Sequence, residues 1–440
     1  MRFYGGTIKK PFIKTILVLL DGIGDRSYPE LNNLTPLEAA HTPNMDRLAA
    51  IGSNGLYHAS TLGECLPSET AHFLLFGYDR ENFPGRGLLE AVGYNVVFDN
   101  NDVLCLSHFS KIKIKDGTPV LFQGRDDVKG TAKEFKKLYR LVSSFEHNNI
   151  CFKLHQTKRN DGIIVIHGDV SPYVSDSDPI HWGAKIAKIM PIRGNPEPEK
   201  SKHTAEALNQ YLRYCRQQLK QSGFSSCANY LLTQRCGKRV PLTSFFDLWG
   251  FTPMMIASSA VYAGLAHELG FIFSRAQDSG NPGNDLRERI RLAIEDPDHD
   301  FIHVHTKMAD EISHKGKNAI DKKKVIEDLD AGMDELLKAI KTRDDLLVVL
   351  TGDHSTPCQS MLVHSGEPVP IIFAGPKVRR DRVDRFDEIS AASGCLGLMR
   401  GKELMQMILN SSDRAKLAGI RLGNTPKVHI SCDYPPFPLK

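Results

Sequence analysis

The chain has 440 residues, 41% of them hydrophobic and 25% charged, which is typical of a globular protein with about two or three domains. Its 56 Lys and Arg residues against 52 Asp and Glu residues give a net charge of +4, too small to indicate a protein that binds nucleic acid or a membrane surface. We therefore interpret short basic runs such as Lys322-Lys323-Lys324 as solvated helix faces.

Several short apolar runs that end at polar or glycine-rich turns predict strands buried on both faces. In chain order they span residues 15–20, 301–305, 346–350 and 370–374. Helical patterns lie between them: one begins at Thr42 and Pro43, and another has apolar residues from Val325 to Ile340 at a period of 3.6 residues. Alternating strands and helices predict an α/β fold with a mostly parallel sheet sandwiched by helices.

The middle of the chain, residues 96–252, has a different organisation. It contains its own strand candidate at residues 163–166 and a helix candidate at residues 203–221. Candidate metal-binding residues lie on both sides of this stretch. We therefore predict a core formed by residues 1–95 and 253–440, interrupted by a smaller inserted α/β domain at residues 96–252.

The nine cysteines are scattered from Cys65 to Cys432 without a Cys-x-x-Cys pair, which argues against a secreted disulfide framework and a zinc ribbon. The apolar run that ends at Asp21 is too short for a signal peptide, and no stretch approaches the ~18 apolar residues of a membrane span. The sequence therefore predicts a soluble, cytoplasmic protein.

Acidic residues and histidines follow the predicted strands at their carboxyl ends, where parallel sheets bind ligands. Asp310 and His314 are four residues apart, so one helical turn would place both side chains on one face. Taken alone, each residue is also compatible with a cap, a turn or, for His303 and His305, an ordinary strand position. Three Asp and three His together suit Mn²⁺, Zn²⁺ or Mg²⁺, and two such ions would clamp the attacking and leaving oxygens on phosphorus. The six residues are Asp21, Asp310, His314, Asp353, His354 and His364.

Ser68 stands just before the apolar helical segment at residues 73–76. A serine at a helix start is usually a cap, but a helix N-terminus also binds phosphate, because its free N–H groups and its dipole favour an anion. The hydroxyl becomes a nucleophile at neutral pH only where a base or a metal stabilises the alkoxide. A catalytic Ser68 therefore depends on the predicted metal site.

Eight segments, in order along nearly the whole chain, are similar to those of one enzyme family. They are Asp-Gly-Ile-Gly-Asp at residues 21–25 and the segments at residues 35–44, 68–79, 85–91, 175–179, 310–314, 352–358 and 364–370. As a set they resemble the archaeal-type 2,3-bisphosphoglycerate-independent phosphoglycerate mutases of the alkaline phosphatase superfamily. The resemblance implies an alkaline-phosphatase-like metal-binding core interrupted by a substrate-binding domain.

The same resemblance implies an activity and the residues that perform it. The activity is the interconversion of 3-phosphoglycerate and 2-phosphoglycerate in glycolysis and gluconeogenesis, with Ser68 as the phosphorylated nucleophile and with two divalent ions (Mn²⁺, Zn²⁺, Mg²⁺ or Co²⁺). The two implied ligand sets are Asp21, Ser68, Asp353 and His354 for one ion and Asp310, His314 and His364 for the other.

The carboxylate of such a small substrate needs a cation, and a fork-shaped guanidinium fits it well. Arg159, Arg235 and Lys238 in the inserted domain are the candidates, and Arg235 best resembles the family's Arg-Gly element. Asp176 and Asp178 are candidates to hold a hydroxyl or a proton, or to shape a turn.

Three departures from the family's pattern keep other functions open. His167 stands where the family usually has arginine, Leu362 where a lysine is expected, and Lys315 and Lys317 where acidic residues are usual. One alternative is a phosphohydrolase or phosphotransferase for another small phosphate ester, and another is a non-catalytic metal-binding homologue. Within the mutase interpretation, Lys315 and Lys317 would restore the lost positive charge from a different direction.

Overall fold

The structure, a computed structural model, describes residues 13–223, 227–316, 318–415 and 438–439. The chain divides into two compact units. The core unit comprises Met1–Phe83, Leu242–Ser259 and Ala266–Lys440, and the inserted unit comprises Pro84–Pro241 and Ala260–Leu265.

Strands from both units alternate along the chain with helices. The strands are β1 (Lys14–Leu20), β2 (Ser53–His58), β3 (Val103–Lys115), β4 (Thr118–Gln123), β5 (Ser144–His147), β6 (Ile150–Lys158), β7 (Asp161–His167), β8 (Tyr230–Lys238), β9 (Pro253–Ala257), β10 (Ile272–Arg275), β11 (Phe301–Thr306), β12 (Leu346–Thr351), β13 (Val369–Ala374) and β14 (Gly397–Arg400). The strands predicted at residues 15–20, 301–305, 346–350 and 370–374 are β1, β11, β12 and β13.

The α-helices are of very different lengths. They are α1 (Pro36–Ala39), α2 (Pro43–Ile51), α3 (Ser68–Leu75), α4 (Arg86–Gly93), α5 (Ala132–Leu141), α6 (Pro198–Gln221), α7 (Phe245–Trp249), α8 (Ala260–Leu269), α9 (Pro282–Glu295), α10 (Met308–Gly316), α11 (Ala319–Ala331), α12 (Asp334–Thr342), α13 (Glu388–Ala391) and α14 (Glu403–Ser411). Within the described residues, short 3₁₀ helices span Pro29–Leu31 and Arg80–Asn82. None of the described helices has both the length and the apolar composition that crossing a membrane requires.

The core unit contains an eight-stranded sheet in the order β10-β9-β11-β1-β12-β13-β2-β14. The first five of these strands run parallel, β13 is antiparallel to both of its neighbours, and β14 is parallel to β2. Every residue of β1 is buried, as expected for a strand in a sheet with helices on both faces. The predicted α/β fold with a mostly parallel sheet is confirmed.

The apolar period from Val325 to Ile340 belongs to two helices, α11 and α12, with a turn at Gly332 and Met333 between them. The turn requires a glycine, because a Cβ at Gly332 would lie 2.5 Å from the carbonyl oxygen of Gly283 in α9. The apolar period therefore predicts the buried face of both helices but not the turn between them. That turn depends on the close approach of α9.

The inserted unit contains a six-stranded antiparallel sheet in the order β4-β3-β7-β6-β5, with β8 also paired to β3. Its apolar core includes Phe135 and Leu138 of α5 and Leu208 and Tyr211 of α6. The unit is therefore built from an antiparallel sheet and helices, whereas the core unit is built on parallel strands.

The inserted unit begins at Pro84, whereas the sequence predicts an insertion from residue 96 to residue 252. The reason at this end is α4, whose Leu88 and Ala91 pack against apolar side chains of β3 and β7. At the other end the main segment of the unit stops at Pro241. The chain after it belongs to the core unit, where the Trp249 indole N–H donates to the Phe76 carbonyl oxygen at 2.8 Å.

The expectation that Lys322-Lys323-Lys324 forms a solvated face is wrong for Lys322, whose side chain is fully buried. Its ammonium group donates to the carbonyl oxygens of Gly24 and Thr356, both at 2.9 Å, and pairs with Asp25 at 3.1 Å. Lys322 thus ties the loop after β1 to the loop after β12. Consecutive side chains on a helix point in different directions, and in this run it is Lys322 that faces the protein interior.

Replacing Lys322 by methionine should lower the free energy of unfolding by about 3–5 kcal/mol, because Asp25 would keep a buried charge without its partner. Urea denaturation measures the change. Lys324→Met is the matched control: Lys324 lies on the same helix with its side chain 68% exposed, and its replacement should change stability by less than about 0.5 kcal/mol. Equal losses in the two variants would contradict the buried-pair interpretation.

Candidate metal centre

The candidate ligands lie at the carboxyl-end edge of the core sheet, where the adjacent parallel strands β11, β1 and β12 end. Asp21 directly follows β1, Asp353 closely follows β12, and Asp310 lies in the first turn of α10 after β11. Backbone hydrogen bonds connect these ends: the Asp21 N–H donates to the Thr306 carbonyl at 2.9 Å, and the Asp310 N–H donates to the Asp21 carbonyl at 3.0 Å. Parallel strand order therefore brings together residues that are distant in sequence.

A first group of donor atoms surrounds Ser68, the first residue of α3. Asp21, Asp353 and His354 place ligand atoms within 4.8 Å of one another, and all three residues are buried. The Ser68 hydroxyl oxygen lies 3.0 Å from His354 Nε2 and 3.4 Å from Asp21 Oδ1. The four residues of the first implied ligand set therefore face one small volume.

A second group lies beside the first and is centred on Asp310. Asp310 Oδ1 is 3.2 Å from His314 Nε2 and 3.5 Å from His364 Nε2, and the two histidine nitrogens are 3.3 Å apart. The rings of His354 and His364 are stacked with their centroids 3.8 Å apart, so the two groups adjoin.

The electrostatics of the first group fit a bound cation. Burial raises the pKa of Asp353 well above its ordinary value, and the charge of Asp21 adds to the effect. Burial and the charge of Asp310 likewise raise the pKa of Asp21. Asp353 Oδ2 is buried and accepts no hydrogen bond from the described residues. Buried carboxylates that face one another are stable when a cation compensates their charge, and this oxygen-and-nitrogen donor set fits a divalent metal ion.

Two of the histidines are oriented by hydrogen bonds at their far ring nitrogens. His364 Nδ1 lies 2.6 Å from the Leu66 carbonyl oxygen, and His354 Nδ1 lies 3.1 Å from the Thr356 hydroxyl, which itself donates to Asp310 Oδ1 at 2.8 Å. Both Nδ1 atoms therefore carry the proton, and both Nε2 atoms present a lone pair to the site. Sequence reasoning missed Thr356, although its position two residues after His354 in a strand-end loop is a usable signal.

Gly22 lets the loop after β1 pass close to α10. Its φ is +66°, and a Cβ there would lie 2.6 Å from the Thr356 hydroxyl oxygen and 2.8 Å from the Asp310 Cβ. Its N–H donates to Asp353 Oδ1 at 3.1 Å. Glycine is required here because of the positive φ and because a Cβ would clash with Thr356 and Asp310.

Beneath the ligands lies a layer of three buried histidines: His72, His303 and His305. His72 Nδ1 lies 2.8 Å from the Ser68 carbonyl oxygen, and His305 Nε2 lies 3.1 Å from Asp21 Oδ2. Burial and the neighbouring His305 ring lower the pKa of His72 to about 3, so its ring is neutral. The sequence signal for this layer is the i, i+2 spacing of His303 and His305, which puts both on one face of β11.

In the inserted unit, the loop at residues 175–178 is hydrogen-bonded to β8. Asp176 Oδ1 accepts the Arg235 N–H at 2.6 Å, and the Ser177 hydroxyl accepts the Thr233 N–H at 2.9 Å. Arg235 has a φ of +52° at a point where the pairing of β8 with β3 shifts register. A left-handed arginine in an irregular strand costs free energy, and such strain is often found at functional sites.

The other candidates in the inserted unit have different surroundings. Asp178 belongs to the same loop and accepts a hydrogen bond from the side chain of Gln234 in β8. Lys238 is the last residue of β8. Arg159 lies between β6 and β7, where its guanidinium donates to the Val128 carbonyl and packs over the Phe135 ring. The structure thus joins Asp176, Asp178 and Arg235 in one cluster and places Arg159 in another.

The positions that depart from the family's pattern have local partners. His167 Nδ1 lies 2.7 Å from Asp102 Oδ1, and Lys315 pairs with Glu311 at 2.6 Å. Leu362 is exposed. Lys317 lies outside the described residues. Lys315 shares the Glu311 carboxylate with Lys307, and its role as a compensating anion ligand stays a prediction.

Comparisons with known proteins agree with this geometry. The family model of the Metalloenzyme superfamily matches residues 13–411. A 2,3-bisphosphoglycerate-independent phosphoglycerate mutase 2 of Methanocaldococcus jannaschii is 38% identical over 445 residues, covering 96% of this chain and 98% of the relative. A protein structure from Pyrococcus horikoshii has a TM-score of 0.73 at 28% identity, covering 93% of this chain and 99% of the other. A cofactor-independent phosphoglycerate mutase from Thermoplasma acidophilum has a TM-score of 0.59, also at 28% identity, covering 91% and 99%.

The fold and the site define a metal-dependent enzyme of the Metalloenzyme superfamily. Within that superfamily, the chain belongs to the 2,3-bisphosphoglycerate-independent phosphoglycerate mutases, which are isomerases. The predicted family and the predicted class of enzyme are confirmed.

Proposed function

We propose that this chain interconverts 3-phosphoglycerate and 2-phosphoglycerate through a phosphoserine at Ser68, without 2,3-bisphosphoglycerate. The observation that carries the proposal is the Ser68 hydroxyl, 3.0 Å from His354 Nε2 and 3.4 Å from Asp21 Oδ1, at the centre of the first ligand group. The absence of paired cysteine motifs supports the cytoplasm as its location.

The residues would hold two divalent ions, one with Asp21, Ser68, Asp353 and His354 and one with Asp310, His314 and His364. Ions bound there would lower the pKa of the Ser68 hydroxyl and neutralise charge on the phosphoryl oxygens. Mn²⁺, Zn²⁺, Mg²⁺ and Co²⁺ all tolerate this donor set. Metal analysis of the purified protein tests the number, and a single ion per chain would overturn the dinuclear proposal.

In the forward direction, the Ser68 hydroxyl gives up its proton, its oxygen attacks phosphorus, and the displaced 3-hydroxyl oxygen of glycerate takes up a proton. The bound glycerate then turns, its 2-hydroxyl gives up a proton and its oxygen attacks phosphorus, and the Ser68 oxygen leaves phosphorus and takes up a proton. The chain contributes mainly positioning and charge neutralisation, as in other phosphoryl transfers. His354 and Asp21 hold the Ser68 hydroxyl where it can begin the first step.

Assay of the purified protein with Mn²⁺ and 3-phosphoglycerate tests the proposal. Appearance of 2-phosphoglycerate is the expected result. Release of inorganic phosphate would instead identify a phosphohydrolase that discharges Ser68 to water. No product of either kind would identify a non-catalytic homologue.

We propose that Arg235 binds the substrate carboxylate. Its backbone has a positive φ that an ordinary strand residue does not adopt, and the hydrogen bond from its N–H to Asp176 stabilises this strained conformation. Arg235→Gln should raise the KM for 3-phosphoglycerate about 10- to 100-fold, the value of one charge-assisted hydrogen bond, with a smaller effect on kcat. Arg159→Gln is the comparison, since Arg159 is bound to Val128 instead. A larger rise in KM for Arg159→Gln than for Arg235→Gln would identify Arg159, and not Arg235, as the residue that binds the carboxylate.

A further inference from the structure

His303 and His305 occupy equivalent positions on one face of β11. Both side chains are fully buried, and both rings lie edge-on to the His72 ring, at centroid distances of 5.3 and 5.1 Å. An apolar side chain would fill either position at lower cost, because a buried imidazole must be compensated for the water it loses. The two histidines differ in the hydrogen-bond partners of their ring nitrogens.

Neither ring nitrogen of His303 has a hydrogen-bond partner among the described residues. His305, in contrast, places Nε2 3.1 Å from Asp21 Oδ2. The other oxygen of the same carboxylate, Asp21 Oδ1, lies 3.4 Å from the Ser68 hydroxyl and 3.4 Å from His354 Nε2. Asp21 therefore has one oxygen directed at His305 and the other at the cation site.

We propose that His305 is a positioning residue of the metal centre: its Nε2–H donates to Asp21 Oδ2 and so holds Asp21 Oδ1 toward the cation and the Ser68 hydroxyl. This inference rests on the proposed role of Asp21 as a metal ligand. It assigns no such role to His303, although the two residues are indistinguishable by burial and strand position.

The hydrogen bond acts on the side chain of Asp21, whose two torsions the backbone pairing leaves free. The strand register already places Leu19 opposite His305 and Leu20 opposite Thr306, and the Asp21 N–H and carbonyl oxygen are both hydrogen-bonded. Rotation about the two side-chain bonds is the remaining freedom, and the contact between His305 Nε2 and Asp21 Oδ2 restricts it. Loss of a hydrogen bond that orients a metal ligand costs about 10- to 100-fold in metal affinity.

The test compares amides of two lengths at position 305. His305→Gln can place its side-chain N–H₂ near the former Nε2 position, whereas His305→Asn is too short to reach Asp21. Titration of Mn²⁺ into the metal-free proteins by calorimetry should show affinity about 10- to 100-fold weaker than wild type for H305N and close to wild type for H305Q. His303→Asn is the matched control and should bind Mn²⁺ as the wild type does.

Wild-type affinity in H305N, or an equal loss in H303N, would overturn the proposal, because either result would reduce His305 to a packing residue. Melting temperatures of the metal-free variants establish that each is folded. If H305N does not fold, His305→Met replaces it, since methionine fills the volume and has no donor. The titration is independent of turnover: a wild-type protein that binds Mn²⁺ but does not form 2-phosphoglycerate would refute the proposed function alone.

Discussion

Ser68→Ala should abolish turnover of 3-phosphoglycerate while the protein remains folded. We expect kcat to fall by about 10⁴-fold or more, because the variant cannot form a phosphoserine at position 68. Ser68 is the first residue of α3 and is only half-buried, so removal of its hydroxyl leaves the packing of the helix unchanged. Steady-state kinetics with Mn²⁺ measures the loss, and the melting temperature of the variant reports its fold.

Thr70→Ala, two residues further along α3 and also half-buried, is the matched control and should retain activity. Mass spectrometry of the wild type after brief incubation with substrate should detect phosphate on the peptide that contains Ser68. If Ser68→Ala retains even a tenth of the wild-type activity, a barrier increase of only about 1.4 kcal/mol, serine has no part in the mechanism.

Asp310→Asn should lower kcat/KM by on the order of 10³-fold at low metal concentration, since a bound metal supplies several kcal/mol of transition-state stabilisation. Asp310 Oδ1 lies within 3.5 Å of both His314 Nε2 and His364 Nε2, so its charge is shared by the whole second group. Excess Mn²⁺ should restore part of the activity, because the variant weakens the site without removing its other ligands. His364→Ala should behave in the same way.

Glu311→Gln is the control for this experiment. Glu311 is adjacent to Asp310 on α10, but its carboxylate pairs with Lys307 and Lys315 instead of the histidines. Its activity should stay within about twofold of wild type, as for an ordinary surface substitution. If excess Mn²⁺ leaves the Asp310→Asn defect unchanged, Asp310 acts in some way other than metal binding.

Much of the core and of the site could be predicted because the relevant signals are local. The apolar runs of β1, β11 and β12 identify buried parallel strands, and Asp21, Asp310 and Asp353 are placed by the ends of those strands. In a parallel sheet the carboxyl ends of neighbouring strands share one edge, so strand-end residues converge even when almost 300 positions separate them, as for Asp21 and Asp310.

The limits of the insertion could not be predicted in the same way. The pattern of α4 shows an apolar face, but that face is compatible with either sheet. Its contacts with β3 and β7 decide that it belongs to the inserted unit. The same is true of Arg235, whose left-handed backbone depends on Asp176, 59 positions earlier in the chain.

The positions of four buried strands along the chain, the candidate metal ligands near strand ends and the serine at a helix start could be predicted from the sequence itself, since strand and helix periods depend on neighbouring residues. Only the tertiary structure decided that Lys322 is buried while Lys324 is exposed, that Thr356 bridges Asp310 and His354, and that His305 contacts Asp21 while His303 does not. Each of these differences depends on which distant segment of the chain the residue contacts. Residues with the same local pattern differ in that choice because burial and hydrogen bonding depend on which segments pack together.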